Sequence, residues 1–529
     1  MSGNMSMDKA VESSEVGGTS RRNRRNGGSR FRSVGKITVS AVTIIILVLA
    51  FAVLGTDVLP DATDRGAVTG TRSVKVGQTV LQSYCPARMR LADTGSYGDS
   101  EYQVSEGNNT GRSLFAAFGS VYDSDIARLD GSHAQKTKSV DLTDTTKAFV
   151  HGTDDTDQSL LQTTRMLDMS SGSGSAASTV SWATEGDLQG VSATRCVSPQ
   201  LSQSFLLPDT RTGWTQQMVL ANPSDKSTSV KITAWGAKNG EPIALATDST
   251  VTVAGRSETV VNLSAAVPDQ QAVYVSISSE TTAVSAVVRV VHMDGLTPKG
   301  SDFATPLAEA ADRVVLPGMQ SGANATIDMY AGSSGDVTLF WITRAGLKQA
   351  KQVTIKADTV SRVALGKVPA NTVGVMAESK NAIQAAAICD LSGSGDGQSD
   401  FSLINGVTVT RIGAIVLPQG VKTTLNLVNT GEKDAKVSLI GYKEDGSRAG
   451  RKDLSVPARS GIWLQPGDVA SGIVAMTMTG DSRQVAWGGL VHVSDVDRAK
   501  VRGIAFLEPT SLMPVQATVR TEHSLTVVQ

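Results

Sequence analysis

Apolar and polar residues alternate through most of the chain beyond residue 200. "SVKITAW" (229–235), "VYVSISS" (273–279) and "KVSLIGY" (436–442) put apolar side chains at every second position. That is the period of a strand with one buried face. Asn239-Gly240, Asp445-Gly446 and Asn222-Pro223 supply turns between such runs. One segment breaks the pattern: residues 37–56, "ITVSAVTIIILVLAFAVLGT", hold no charge. Twenty apolar residues at helical rise match a hydrocarbon core of about 30 Å, so this segment predicts a transmembrane helix.

The strand pattern repeats. "FLLPDT" (205–210), "VVLPGM" (314–319) and "IVLPQG" (415–420) place Pro208, Pro317 and Pro418 109 and 101 residues apart. A second element follows the first and third of these. Asn222 and Asn429 each stand eight residues before a Val (Val230, Val437), which stands five before an aromatic (Trp235, Tyr442). The middle copy has Ala331 at the Asn position. Each copy closes on a small-residue apolar run: "AVSAVVRVVH" (283–292), "AIQAAAICDL" (382–391) and "QVAWGGLVHV" (484–493). "SDF" recurs at 301–303 and 399–401, and "GVSATRCVSP" (190–199) ends an earlier, divergent copy.

Units of about 100 residues with some seven short strands predict β-sandwiches. The expected fold is all-β: a tandem array of β-sandwich (Ig-like) modules after one N-terminal transmembrane helix. A β-propeller is the alternative, with two blades of about 40–50 residues in each unit. The expected division is a basic, disordered cytoplasmic segment (1–36), the anchor (37–56), a linker (57–75), a divergent β module (76–200) and three β-sandwich modules (201–305, 306–405 and 406–529).

Charge gives this division an orientation. Residues 1–36 hold eight Lys or Arg against three acids, so the remaining chain sums to −6 within a net −1. The positive flank predicts a cytoplasmic N-terminus, with residues 57–529 extracytoplasmic at the cell membrane. Cleavage and secretion form the alternative. A mildly acidic body offers no footprint for nucleic acid. Three cysteines suit an exported chain. Cys85 and Cys196 bracket the divergent module, and a disulfide between them would close a loop of about 110 residues, contributing about 4–5 kcal/mol in the chain-entropy account. Cys389 lies in an apolar run and reads as a buried thiol.

Candidate chemistry is sparse. Leu207-Pro208-Asp209-Thr210 has the form of a sortase sorting signal, but Arg211 and some 320 further residues follow it. Its recurrence favours a strand entry, with proline at a position that donates no ladder bond. Asp154, Asp155 and Asp157 form an acidic turn whose spacing fits no calcium loop. His292 and His492 occupy matching places in two repeats. The Gly/Ser stretches 170–178 and 392–400 lack the setting of a phosphate cradle. No metal, cofactor or catalytic set is expected. Trp214, after Gly213 in a predicted turn, is the candidate ligand contact.

The Arg-rich start, "YCPARM" at Cys85, "ATRCVSP" at Cys196 and "VLANPSDKSTSVKITAWGAKNG" (219–240) together resemble an uncharacterised family of actinobacterial membrane-anchored exported proteins. The resemblance implies no catalytic residues. The functional expectation is a non-catalytic binding or scaffolding component of the bacterial cell envelope, with a polysaccharide or protein partner. Two alternatives stand beside it. One is a glycan-modifying enzyme working through His133, His151 and the Asp154–Asp157 cluster; the other is a transport accessory subunit.

Overall fold

Strand Thr228–Trp235 buries Thr228, Val230, Ile232 and Ala234 while Ser229 and Lys231 face outward. Its partner Val273–Ser279 runs antiparallel, from Val230 opposite Ser279 to Trp235 opposite Tyr274. The computed structural model describes residues 71–92, 103–136, 144, 146–168, 170–393, 397–407, 409–514 and 516–522. Ser73–Val519 form one compact unit.

Eight strands build the module around Trp235: Ser202–Leu207, Trp214–Asn222, Thr228–Trp235, Thr250–Val253, Ser257–Asn262, Val273–Ser279, Ser285–Asp294 and Thr297–Ala304. The first, sixth, third and fourth pair in that order in one sheet; the fifth, second, seventh and eighth pair in the other. Phe205, Ile232, Val253 and Val275 from the first sheet meet Met218, Leu220, Val288 and Val290 from the second, so the sheets face one another across one core. The same order recurs in three further groups. They run from Val80–Cys85 to Gly190–Arg195, from Ala311–Pro317 to Asp400–Asn405, and from Ile412–Val416 to Ala505–Leu507. In the third module the sixth and seventh strands are one continuous strand, Thr372–Leu391, which joins its two sheets.

The seventh strands explain the small-residue runs. Gly174–Ala183 is buried at every position, and Val485–Val493 at all but His492. Each has a module core on one face and a neighbouring module on the other. In Ser285–Asp294, Val288 and Val290 enter their own core, whereas Val287 packs with Tyr84 and Val197 of the first module. Val291 meets Met89 and Leu188 there as well. Leu206 and Tyr274 of the second module pack with Val360 and Ala386 of the third. Val315 and Met376 of the third meet Val428 and Ala486 of the fourth. Ala414 and Tyr442 of the fourth close back on Leu114 and Ala176 of the first.

These contacts correct the expected fold in three respects. The modules do not string out in tandem; they close into a ring of four, with their eighth strands gathered at the centre. A propeller is excluded as well, because each module is a pair of facing sheets whose strands cross between positions one and six and between five and two. The fold also gains no transmembrane helix: among the described residues no helix is long and apolar enough to cross a membrane. The described α-helices, Leu263–Ala266 and Ser494–Ala499, are one or two turns long. Residues 37–56 lie outside the described residues. What stands is an all-β chain of several small sheets.

Candidate functional site

The four central strands carry polar side chains into an otherwise apolar junction. Asp302 is fully buried. Its Oδ1 accepts the Ala193 N–H of the first module (3.0 Å) and its Oδ2 the Leu403 N–H of the third (2.8 Å). Asp400, equally buried, accepts Val191 N–H of the first module and Ile504 N–H of the fourth on Oδ2, both at 2.9 Å. Its Oδ1 accepts Phe401 N–H at 3.0 Å. Burial pushes both carboxyls well above the usual carboxylate range. The backbone donors oppose that shift, and Asp302 adds to it at Asp400. Glycine is required beside this lock: a Cβ at Gly190 would sit 2.7 Å from the Asp400 carboxyl, and one at Gly300 2.4 Å from its Oδ1.

One end of the same strands builds a polar chain with one residue from each module. Asn405 Nδ2 donates to Thr305 O and Oγ1, both at 2.9 Å. Thr305 Oγ1 donates to Glu508 Oε1 at 3.0 Å. Arg195 Nε donates to Glu508 Oε2 at 2.7 Å, in an ion pair whose carboxylate is only 10% exposed. A charge-assisted pair this sheltered is held more firmly than a surface one.

Arg195 and Glu508 form the floor of a cleft of about 780 Å³, lined by residues of all four modules. That volume is in the range of small-molecule sites. One wall is the outer sheet face of the second module, carrying Ser202, Ser204, Tyr274 and Ser276. Tyr274 O–H donates to Gln384 Oε1 (2.9 Å), and Gln384 Nε2 donates to Ser204 Oγ (3.0 Å) and Ala308 O (2.7 Å). Tyr274 also stacks on Tyr330, with centroids 3.7 Å apart, so its hydroxyl position is fixed from two sides. Arg411 and Arg483 of the fourth module also line the cleft.

The candidates read from sequence lie elsewhere. Cys85 and Cys196 are joined by a disulfide, Cα to Cα 4.4 Å, inside the first module. Trp214 is half-buried, stacked on His292 (4.0 Å between centroids) and tilted against Phe401 of the third module. It is not a cleft residue. His292 sits opposite Trp214, eight residues before Asn222, and His492 opposite Lys422, seven before Asn429. The two therefore lie one register position apart on opposite strand faces and are not one repeated position. Asp154, Asp155 and Asp157 each meet an arginine: Arg112 (3.2 Å), Arg128 (3.5 Å) and Arg88 (2.5 Å). Among the described residues no cluster could hold a metal ion. Cys389 is buried, and burial raises its thiol pKa to about 11, which keeps it an unreactive thiol. Within the sorting-like stretch Asp209 and Thr210 are buried, with Thr210 Oγ1 donating to Val267 O.

Sequence reasoning missed Arg195, Arg411, Arg483 and Glu508. The available signal was positional, since Arg195, Thr305, Asn405 and Glu508 all follow or end the eighth strands, and "SDF" marked that strand twice.

The fold and cleft define a class: an all-β protein of four fused modules that share one polar junction. The chain belongs to a family of unknown function (DUF5719), whose profile matches residues 150–467, from within the first module into the fourth. No curated protein matches the chain.

Proposed function

We propose that this is an extracytoplasmic, non-catalytic binding component of the cell envelope, and that its ligand, an envelope glycan or protein, occupies the cleft. The carrying observation is the cleft floor, where Arg195, Thr305, Asn405 and Glu508 from four modules interlock. Such an arrangement holds a rigid shape that no single module could hold, and pre-organisation is what makes a binding site economical in entropy. The floor's ionic groups are engaged with one another, which suits recognition more than proton transfer. The Cys85–Cys196 disulfide supports residence in an oxidising compartment. The carboxylates considered for an enzyme, Asp154, Asp155 and Asp157, are committed to arginines.

Replacing exposed Ser202 by Trp fills the cleft from its wall while leaving the module core untouched. The full-length variant should lose retention of glycan released from the native envelope, at unchanged melting temperature. Retention equal to that of the wild type contradicts the proposal.

A further inference from the structure

Arg411 and Arg483 both line the cleft. Several other arginines of this unit meet carboxylates, such as Arg313 with Glu378 and Arg362 with Asp328. Arg411 and Arg483 are exposed at the cleft, and among the described residues neither guanidinium has a hydrogen-bond or ion-pair partner. Backbone bonds hold their two loops together: Gly480 N–H to Arg411 O (2.6 Å) and Thr410 N–H to Val485 O (3.0 Å). Beside the neutralised Arg195–Glu508 pair, these two guanidinium forks outweigh the one further carboxylate of the lining, Glu309, and leave the cleft net positive, which suits an anion.

The rest of the lining indicates what carries that anion. The side chains of Gln200, Ser202 and Ser276 face the cleft with no partner among the described residues, beside the fixed Tyr274 hydroxyl. Hydroxyl and amide groups spread over a flat sheet face suit a polyhydroxyl ligand. An added peptide strand is disfavoured, because the edge of Ser202–Leu207 is already covered: Leu307 N–H occupies Ser204 O at 2.8 Å. At its start Gln200 exchanges backbone bonds with Val284. Strand addition needs an open edge.

We infer that the cleft binds an anionic oligosaccharide, with Arg411 and Arg483 taking its carboxylate or phosphate groups and the serine-lined wall its hydroxyls. This rests on the cleft being the binding site. The test is calorimetric titration of the full chain with hexagalacturonate, a glycerol-phosphate hexamer, maltohexaose and hexaglutamate. One or both anionic polyols should bind, weakening as salt rises, and the two arms separate carboxylate from phosphate. The double variant Arg411→Gln/Arg483→Gln should bind at least tenfold more weakly, while Lys348→Gln on an outer strand should not differ from wild type.

No binding of either anionic polyol at millimolar concentration overturns the inference. So does equal binding of maltohexaose, tighter binding of hexaglutamate, or an unaffected double variant. Ser202→Trp separates the two levels. If it abolishes maltohexaose binding that the arginine variants leave intact, the cleft stands and the anionic ligand falls. If hexagalacturonate binding survives it, the cleft itself is the wrong site.

Discussion

Asp302 and Asp400 look alike in sequence, each the centre of an "SDF", yet they hold the ring differently. Asp302 uses both oxygens, one for the first module and one for the third. An amide there must turn its NH2 toward one of those backbone donors, so Asp302→Asn should cost about 1–3 kcal/mol, the penalty of one buried unpaired N–H. Urea unfolding measures it. Asp400 carries its cross-module bonds on Oδ2 alone, so the carbonyl of Asp400→Asn can keep both. That variant loses the Phe401 N–H bond to Oδ1 at every pH, so the pH dependence of the difference isolates the charge. Burial raises the folded pKa of Asp400 well above its ordinary value. A carboxyl shifted this way stabilises the fold fully below its unfolded pKa of about 3.9 and loses that contribution as pH rises toward the folded value. Stability of Asp400→Asn relative to wild type should therefore improve between pH 5 and pH 8. A difference that is flat or runs the other way contradicts the buried-charge account. The triplet was legible as a repeat. Its role was not, because alternation reports only which face of a strand is buried, not that a carboxylate reaches two other modules.

At the scale of elements, the repeated asparagine is the clearest case of sequence leading to structure. Asn429 Nδ2 donates to Lys433 O (2.8 Å) and Val456 O (3.0 Å), and its Oδ1 accepts Gly431 N–H (2.8 Å). Asn222 repeats this with Lys226 O, Val253 O and Ser224 N–H. One side chain thus closes its own loop and pins it to the fourth strand. Asn429→Ala leaves buried backbone groups unpaired and should destabilise by about 1–3 kcal/mol, read as an earlier urea midpoint at unchanged slope. In the third module Ala331 lacks this reach, and Asp358 N–H instead donates to Ala331 O at 2.8 Å. The seventh strands show the limit of such reading. Their small apolar residues mark a buried strand plainly enough. That both faces are buried, one of them by another module, depends on packing between segments far apart in the chain. Gly488 has no room for a side chain even within its own module: a Cβ there would meet the ring of Phe506, on the neighbouring eighth strand, 2.2 Å away.

Over the whole molecule, the period of about 100 residues made the modular build legible, and the alternation made it all-β. Ring closure was not legible, since it rests on pairs such as Arg195 with Glu508 and Ser178 with Val416, which no local pattern connects. The cleft was hidden for the same reason, for it exists only where four strand ends meet. The central claim is that this meeting point binds the ligand. Hydrogen–deuterium exchange on the full chain, with and without glycan released from the native envelope, tests it directly. The account predicts joint protection of 200–204, 307–309, 406–411 and 508–513, with none at the outer strand Gly346–Ile355. Unchanged exchange in those four segments, or protection confined to the outer strands, contradicts it.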